Sequence, residues 1–240
     1  MSRGGGGRLP AAVAAVALLT GLAAASFAVS HRPDRPLLLA PVQPAAAPAP
    51  SPVVRRSGPS ARAVPTRVSP EWVTTYAART GIAAPALTAY ADAALRAPCP
   101  VGWTTLAGIG WVESGNGTVD GSPLGPDGRP VAPILGPVLD GRGQVAAVPD
   151  DRGGWARAEG PMQFLPSTWE QWGSDGDRDG VADPQDLDDA AYSAARYLCA
   201  SGVDLGTGAG WTAAVLSYNH SDDYVRAVYD ASSTYADRAS

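Results

Sequence analysis

Ile109-Gly-Trp-Val-Glu-Ser-Gly-Asn-Gly117 carries an apolar helix straight into a glycine-rich stop, and it fixes both the class of the fold and its most informative residue. Leu106, Ile109, Gly110 and Glu113 share one helical face. The periodicity that buries the two aliphatic residues therefore also carries a carboxyl group inward. Partial burial raises a carboxyl pKa, and the C-terminal end of a helix disfavours the anion. Those conditions keep a glutamic acid protonated near neutral pH, as a general acid requires. A glutamate in this register also serves simply to cap the helix or to meet an arginine, and spacing alone does not separate these uses.

Helical signals continue on both sides. Ser69-Pro-Glu-Trp72 supplies an N-cap, a proline at the first helical position and an acid in the first turn. Trp72, Val73, Tyr76 and Thr80 follow, with Gly81 as the stop. Pro85 opens a second helix with Leu87, Tyr90, Ala91, Ala94 and Leu95 on one face. Ser167-Thr-Trp-Glu170 has the form of a capping box. Leu187, Ala191, Ala194 and Leu198 mark a further helix ended by Gly202, and segments 211–218 and 222–231 complete the set. No stretch alternates with period two, so the class is mainly α. Between Asn116 and Gly160 lies a Gly-, Pro- and Asp-rich stretch without a period. Loops of that length in a compact domain are usually functional or disordered, and this one is expected to wall a cleft.

The folded part begins well into the chain of 240 residues. Arg3 and Arg8 precede an apolar run over 9–29, the pattern of an export signal. The run is also long enough to span a hydrocarbon core of ~30 Å as a helix, so residues 1–30 form either a cleaved signal or a retained membrane anchor. Both place the remainder outside the cytoplasm. Residues 31–69 are rich in proline and alanine and read as an extended, disordered tether. The catalytic-type domain is expected over 70–232, with 233–240 as a C-terminal tail. Residues 1–69 hold eight arginines and one acid, Asp34, whereas 70–240 hold ten arginines and twenty-two acids. So acidic a folded part repels a phosphate backbone, which excludes nucleic acid as a partner. Cys99 and Cys199 are the only cysteines. In an exported chain their default is a disulfide, the alternative being two free thiols.

Two more segments carry candidate site residues. In Gly160-Pro-Met-Gln-Phe-Leu-Pro-Ser-Thr-Trp169 a glutamine between bulky apolar residues is placed to offer its amide to a sugar. In Ser217-Tyr-Asn-His-Ser-Asp-Asp-Tyr224 a polar turn separates two apolar helical segments. The order of a helix-terminal Glu-Ser, then Gly-Pro-Met-Gln-Phe-Leu-Pro-Ser-Thr-Trp, then Tyr-Asn with a following tyrosine resembles the lytic murein transglycosylases. Within them it is most similar to the membrane-bound type B branch in its actinobacterial form. The resemblance covers residues 70–232 and implies a goose-type lysozyme-like helical fold acting on peptidoglycan glycan strands. It implies Glu113 as catalytic acid and base, Gln163 as a sugar contact, and Tyr218 with Asn219 lining the cleavage site. Tyr224 is a further wall, and Ser114, Met162 and Phe164 complete the substrate-binding set. Glu159 departs from the pattern, which has a small or apolar residue there; it is read as an exposed loop charge or as a second carboxylate.

Asp175-Gly-Asp-Arg-Asp-Gly-Val-Ala-Asp-Pro-Gln-Asp186 has acids at positions 1, 3, 5, 9 and 12 of an EF-hand loop and glycine at position 6. Asp175, Asp177, Asp179, Asp183 and Asp186, with the carbonyl of Val181, form the expected ligand set for one calcium ion. The alternative is an acidic surface turn. An EF-hand-like calcium site also belongs to the type B resemblance, and its role is structural; no cofactor is expected for catalysis.

Glycosidases usually employ two carboxylates, whereas the resembled family uses one. The expected reaction therefore forms 1,6-anhydro ends at N-acetylmuramic acid. Hydrolytic muramidase activity, or a catalytically silent wall-binding role, is the alternative. The oligomeric expectation is a monomer.

Overall fold

A computed structural model describes residues 67–121, 123–142, 146–150 and 153–240. The expected export signal or anchor over 1–30, with its apolar run 9–29, and the tether up to residue 66 lie outside the described residues. Within them the helices are α1 (Pro70–Thr80), α2 (Ala84–Arg96), α3 (Trp103–Ser114), α4 (Pro166–Trp172), α5 (Leu187–Ala200), α6 (Gly208–Tyr218) and α7 (Asp222–Ala239). Extended segments among the described residues meet only through isolated bridges. The mainly α expectation agrees with this.

Local chemistry sets the ends of these helices. Ser69 Oγ accepts from Trp72 N at 3.2 Å, Pro70 occupies the first turn, and Gly81 closes α1 in the left-handed region at φ 77°. The expected capping box at Ser167 does not form. α4 begins two residues earlier, at Pro166, with Leu165 at the N-cap and no side-chain cap. Proline has its φ preset for the first helical position and lacks the N–H that a cap would satisfy, so it draws the start upstream. The expected tail over 233–240 is also corrected, because α7 runs on to Ala239 and buries Tyr235. Two arginines fasten this end. Arg79 donates to the carbonyls of Ala239 and Ser240 at 3.1 and 3.2 Å, and Arg238 donates to Thr80 O at 3.1 Å. Each guanidinium thus serves the carbonyl-rich end of the other's helix.

α3 is the central element. Thr105–Gly110 and Val112–Ser114 are all buried, so α3 is enclosed on nearly every side by α2, α5 and α7. Two glycines permit this. A Cβ at Gly108 would stand 2.9 Å from Val228 O of α7, and one at Gly110 would overlap the Tyr90 hydroxyl from α2. Trp211 Nε1 of α6 donates to Thr105 Oγ1 at 3.0 Å. The two cysteines are joined, with Cα atoms 5.6 Å apart, tying the segment after α2 to the end of α5 across 100 residues of chain.

The stretch after α3 is better organised than its composition suggests. Leu139, Val148, Ala156 and Leu165 make a small second core. Around it Leu139 N donates to Ala156 O, Ala156 N to Val148 O and Val148 N to Leu139 O, each at 2.9 Å. The result is a three-stranded knot of single bridges rather than a sheet.

Tyr90 is fully buried and cannot swing aside. Gly110→Ala should therefore lower stability by ~1–3 kcal/mol, although alanine is the better helix former. In thermal unfolding that is a fall of roughly 2–4 °C per kcal/mol; an unchanged or higher midpoint would show that α3 and Tyr90 are not this close.

Candidate active site

Glu113 occupies the last turn of α3, 6% exposed. Gly115 turns the chain in the left-handed region at φ 62°, and Asn116 N then donates back to Gly110 O at 2.9 Å. The chain thus reverses two residues after the acid and holds it at the helix end. Tyr224, fully buried on α7, donates its hydroxyl to Glu113 Oε1 at 2.7 Å. Burial pushes the Glu113 carboxyl up to about 8, against the opposing pull of the Tyr224 hydrogen bond, which favours the anion. Burial wins, so the acid carries its proton at neutral pH. Among the described residues Ser232 Oγ is the one fully buried side-chain polar atom without a partner.

Of the expected residues, Tyr224 touches this carboxyl, and Tyr218 lies beside Tyr224. Tyr218, at the end of α6, lies parallel to Tyr224 with ring centroids 6.4 Å apart. Its hydroxyl donates to Met162 O at 2.8 Å, and its ring meets Phe164 edge-on at 5.9 Å. Burial raises the pKa of both tyrosines well above the ordinary value, with a further contribution from the Glu113 charge, so both remain neutral donors. Asn219 follows α6 directly and is 3% exposed. Ser114 is buried and spends its hydroxyl on the protein: it donates to Pro161 O at 2.6 Å and accepts from Gly117 N at 2.8 Å. It therefore pins the segment carrying Met162, Gln163 and Phe164 to the end of α3. Gln163 is buried at φ 51° and donates its amide to Gly160 O at 2.9 Å. Glu159 is half-buried and pairs through its backbone with Phe164 at 2.8 and 2.9 Å.

Asn116 is a site residue that sequence reasoning missed. Tyr90 donates to its Oδ1 at 3.0 Å, and its Nδ2 donates to Tyr235 at 2.9 Å, so one amide joins α2, α7 and the end of α3. Asn116 lies at φ 61°. The available signal was an asparagine between two glycines, since asparagine tolerates that conformation better than most residues.

The acidic loop differs from the twelve-residue spacing. Asp175, Asp177 and Asp189 each bring a carboxylate oxygen within 4.8 Å of the others. Asp179, Asp183 and Asp186 instead face Arg129, which pairs with Asp186 at 3.2 Å, Asp179 at 3.8 Å and also with Asp183. Asp186 in addition caps α5 by accepting from Asp188 N at 2.9 Å. The reason is the helix start: with Leu187 as the first helical residue, position 12 becomes an N-cap. Asp189, inside the first turn, faces back into the loop and accepts from the Gly176 and Asp183 N–H groups. Val181 is exposed. Burial first, and neighbouring acids after it, push Asp188 up to about 7 and Asp189 up to about 6. Such crowding of hard oxygen donors suits a calcium-like cation.

Glu113 has a folded pKa of about 8 against an ordinary 4.5. Its contribution to stability is complete below the lower value and is lost as pH rises to the upper one. Glu113→Gln removes this titration. Between pH 5 and 9 the melting temperature of the variant should gain on the wild type by at least about 3 °C, since each pKa unit is ~1.4 kcal/mol. Parallel curves would show an unshifted acid.

Residues 142–215 match the family model of the transglycosylase SLT domain. The matched stretch holds Gln163, the acidic loop and α5, and lies between Glu113 and Tyr218. No curated protein and no solved structure matches the chain. The match covers 74 of the 240 residues, less than half of the chain.

Proposed function

We propose that this protein is a peptidoglycan lytic transglycosylase of the membrane-bound type B kind, with Glu113 as its single acid and base. The observation that carries the reading is the buried, protonated carboxyl at the end of α3, held through one oxygen by Tyr224. Burial raises its pKa and the Tyr224 hydrogen bond opposes the rise.

In the reaction, the Glu113 carboxyl donates its proton to the oxygen linking N-acetylmuramic acid to N-acetylglucosamine. The bond from C1 to that oxygen breaks, and the N-acetylglucosamine side leaves as an alcohol. The N-acetyl carbonyl stabilises the cationic C1. The C6 hydroxyl of the same sugar then attacks C1 and returns its proton to Glu113, closing a 1,6-anhydro ring without water. Tyr224 holds Oε1 throughout, which leaves Oε2 for both proton transfers. Tyr218 and Asn219 flank the cleaved bond, Gln163 contacts a sugar through its amide, and Met162, Phe164 and Ser114 shape and anchor that wall. The substrate and the disulfide both fit a location outside the cytoplasm, reached or held by residues 9–29. Asp175, Asp177 and Asp189 would hold a calcium ion that braces the loop and takes no part in the chemistry.

Mass spectrometry of sugar ends after digestion of sacculi tests the reaction. The wild type should leave anhydromuramoyl ends, and Glu113→Gln should lower the rate by at least ~100-fold. Reducing ends would make the protein a hydrolytic muramidase. A fully active Glu113→Gln, or no soluble product from a wild type that still pellets with the wall, would remove Glu113 from the mechanism or make the protein a wall binder. Calcium should raise the melting temperature by an amount that grows with its concentration, about 2.7 kcal/mol of stability at 100 times Kd, and Asp189→Asn should abolish the effect. An insensitive wild type would leave the loop as an acidic turn.

A further inference from the structure

Gln185 belongs to the acidic loop but faces away from its carboxylates, towards the segment that carries Gln163. Its side-chain amide pairs with both backbone groups of one residue, Ile134. Oε1 accepts from Ile134 N at 2.9 Å, and Nε2 donates to Ile134 O at 3.1 Å. Ile134 O also accepts from Gly160 N at 2.9 Å. Gly160 O in turn accepts from Gln163 twice, from its N–H at 3.0 Å and its side-chain Nε2 at 2.9 Å. Hydrogen bonds thus join one glutamine amide to Ile134 and Ile134 to Gly160, and Gly160, across its own Cα, holds the other glutamine.

Steric fit reinforces each link. Gly160 lies at φ 76°, and a Cβ there would overlap the Pro184 carbonyl, next to Gln185. On the far side a Cβ at Gly136 would stand 2.7 Å from Gln163 Oε1. Gln163 itself holds φ 51°, a left-handed conformation that a non-glycine residue keeps only where its surroundings over-determine it. The acid Glu113 and its partner Tyr224 sit on α3 and α7 and take no part in this run.

We propose that Gln185 is a positioning residue for the Gln163 amide, so that the acidic loop sets affinity for the glycan rather than the rate of bond cleavage. Without the Gln185 amide Ile134 N loses its partner and Ile134 O keeps only Gly160 N, so this backbone is less firmly held. Gly160 N follows Ile134 O, and the Gln163 side chain then loses the fixed acceptor that aims it. The inference rests on the reading of Gln163 as a sugar contact in a glycan-cleaving enzyme.

Full-length wild type, Gln185→Ala, Gln185→Glu, Gln163→Ala and the Gln185→Ala/Gln163→Ala double variant test it. The measurements are Kd for a soluble N-acetylglucosamine oligomer, and KM and kcat on soluble peptidoglycan strands. Gln185→Ala should weaken Kd and raise KM on the order of 5- to 10-fold, the size of one net hydrogen bond, while kcat changes less than about 2-fold. Gln185→Glu should act in the same direction, because a carboxylate cannot donate to Ile134 O. In the Gln163→Ala background, Gln185→Ala should add less than about 2-fold, because its target is gone. Full additivity, or unchanged Kd in both Gln185 variants, would overturn the proposal. A wild type that neither binds nor cleaves glycan would overturn the functional reading and this inference with it. The two failures are distinct, since one appears in the wild type and the other only in the variants.

Discussion

A carboxyl group taken out of water, with a tyrosine hydroxyl on one of its oxygens, is the constraint around which this domain is arranged. The cost of burying Glu113 is met by keeping it neutral, not by pairing it with a cation. That choice needs a dry, close-packed wall, which α3 and α7 supply by approaching closely at Gly108. It needs donors that stay neutral, which burial secures for Tyr218 and Tyr224. It also needs a helix that stops on time. Gly115 and Asn116 provide the stop, and the Asn116 amide locks it to α2 and α7 through Tyr90 and Tyr235.

The remaining elements divide the work of support. The disulfide fastens the segment after α2 to the end of α5. Arg79 and Arg238 fasten the ends of α1 and α7 to each other. Arg129 gathers Asp179, Asp183 and Asp186, leaving Asp175, Asp177 and Asp189 as the convergent set. Between these anchors the described residues of the glycine-rich stretch 123–165 are held by single bridges and a four-residue core. A weak local pattern of this kind depends on side-chain pins such as Ser114 to Pro161 and Gln185 to Ile134.

Much of this was legible in the sequence where local signals and burial agree. The α1 boundaries follow from Ser69, Pro70 and Gly81, and the inward register of Glu113 follows from Leu106 and Ile109. Where two local signals compete, the sequence leaves the outcome open. Pro166 overrode the capping box at Ser167, and Asp186, the twelfth loop position, is also the N-cap of α5. Asp189 escaped notice because its role depends on where α5 begins, and Asn116 because its partners lie 26 and 119 residues away in the chain. The stretch read as a tail is helix because Tyr235 and Arg238 find partners only in the folded domain, a tertiary effect that periodicity does not carry.

The protonation state of Glu113 is the central claim and can be read directly. The chain has four glutamates, Glu71, Glu113, Glu159 and Glu170, so side-chain carboxyl carbons labelled with carbon-13 in glutamate alone give a resolvable NMR titration. One resonance, assigned by its loss in Glu113→Gln, should titrate near 8. If that resonance instead titrates near the ordinary 4.5, the acid is ionised at neutral pH and cannot serve as the proton donor.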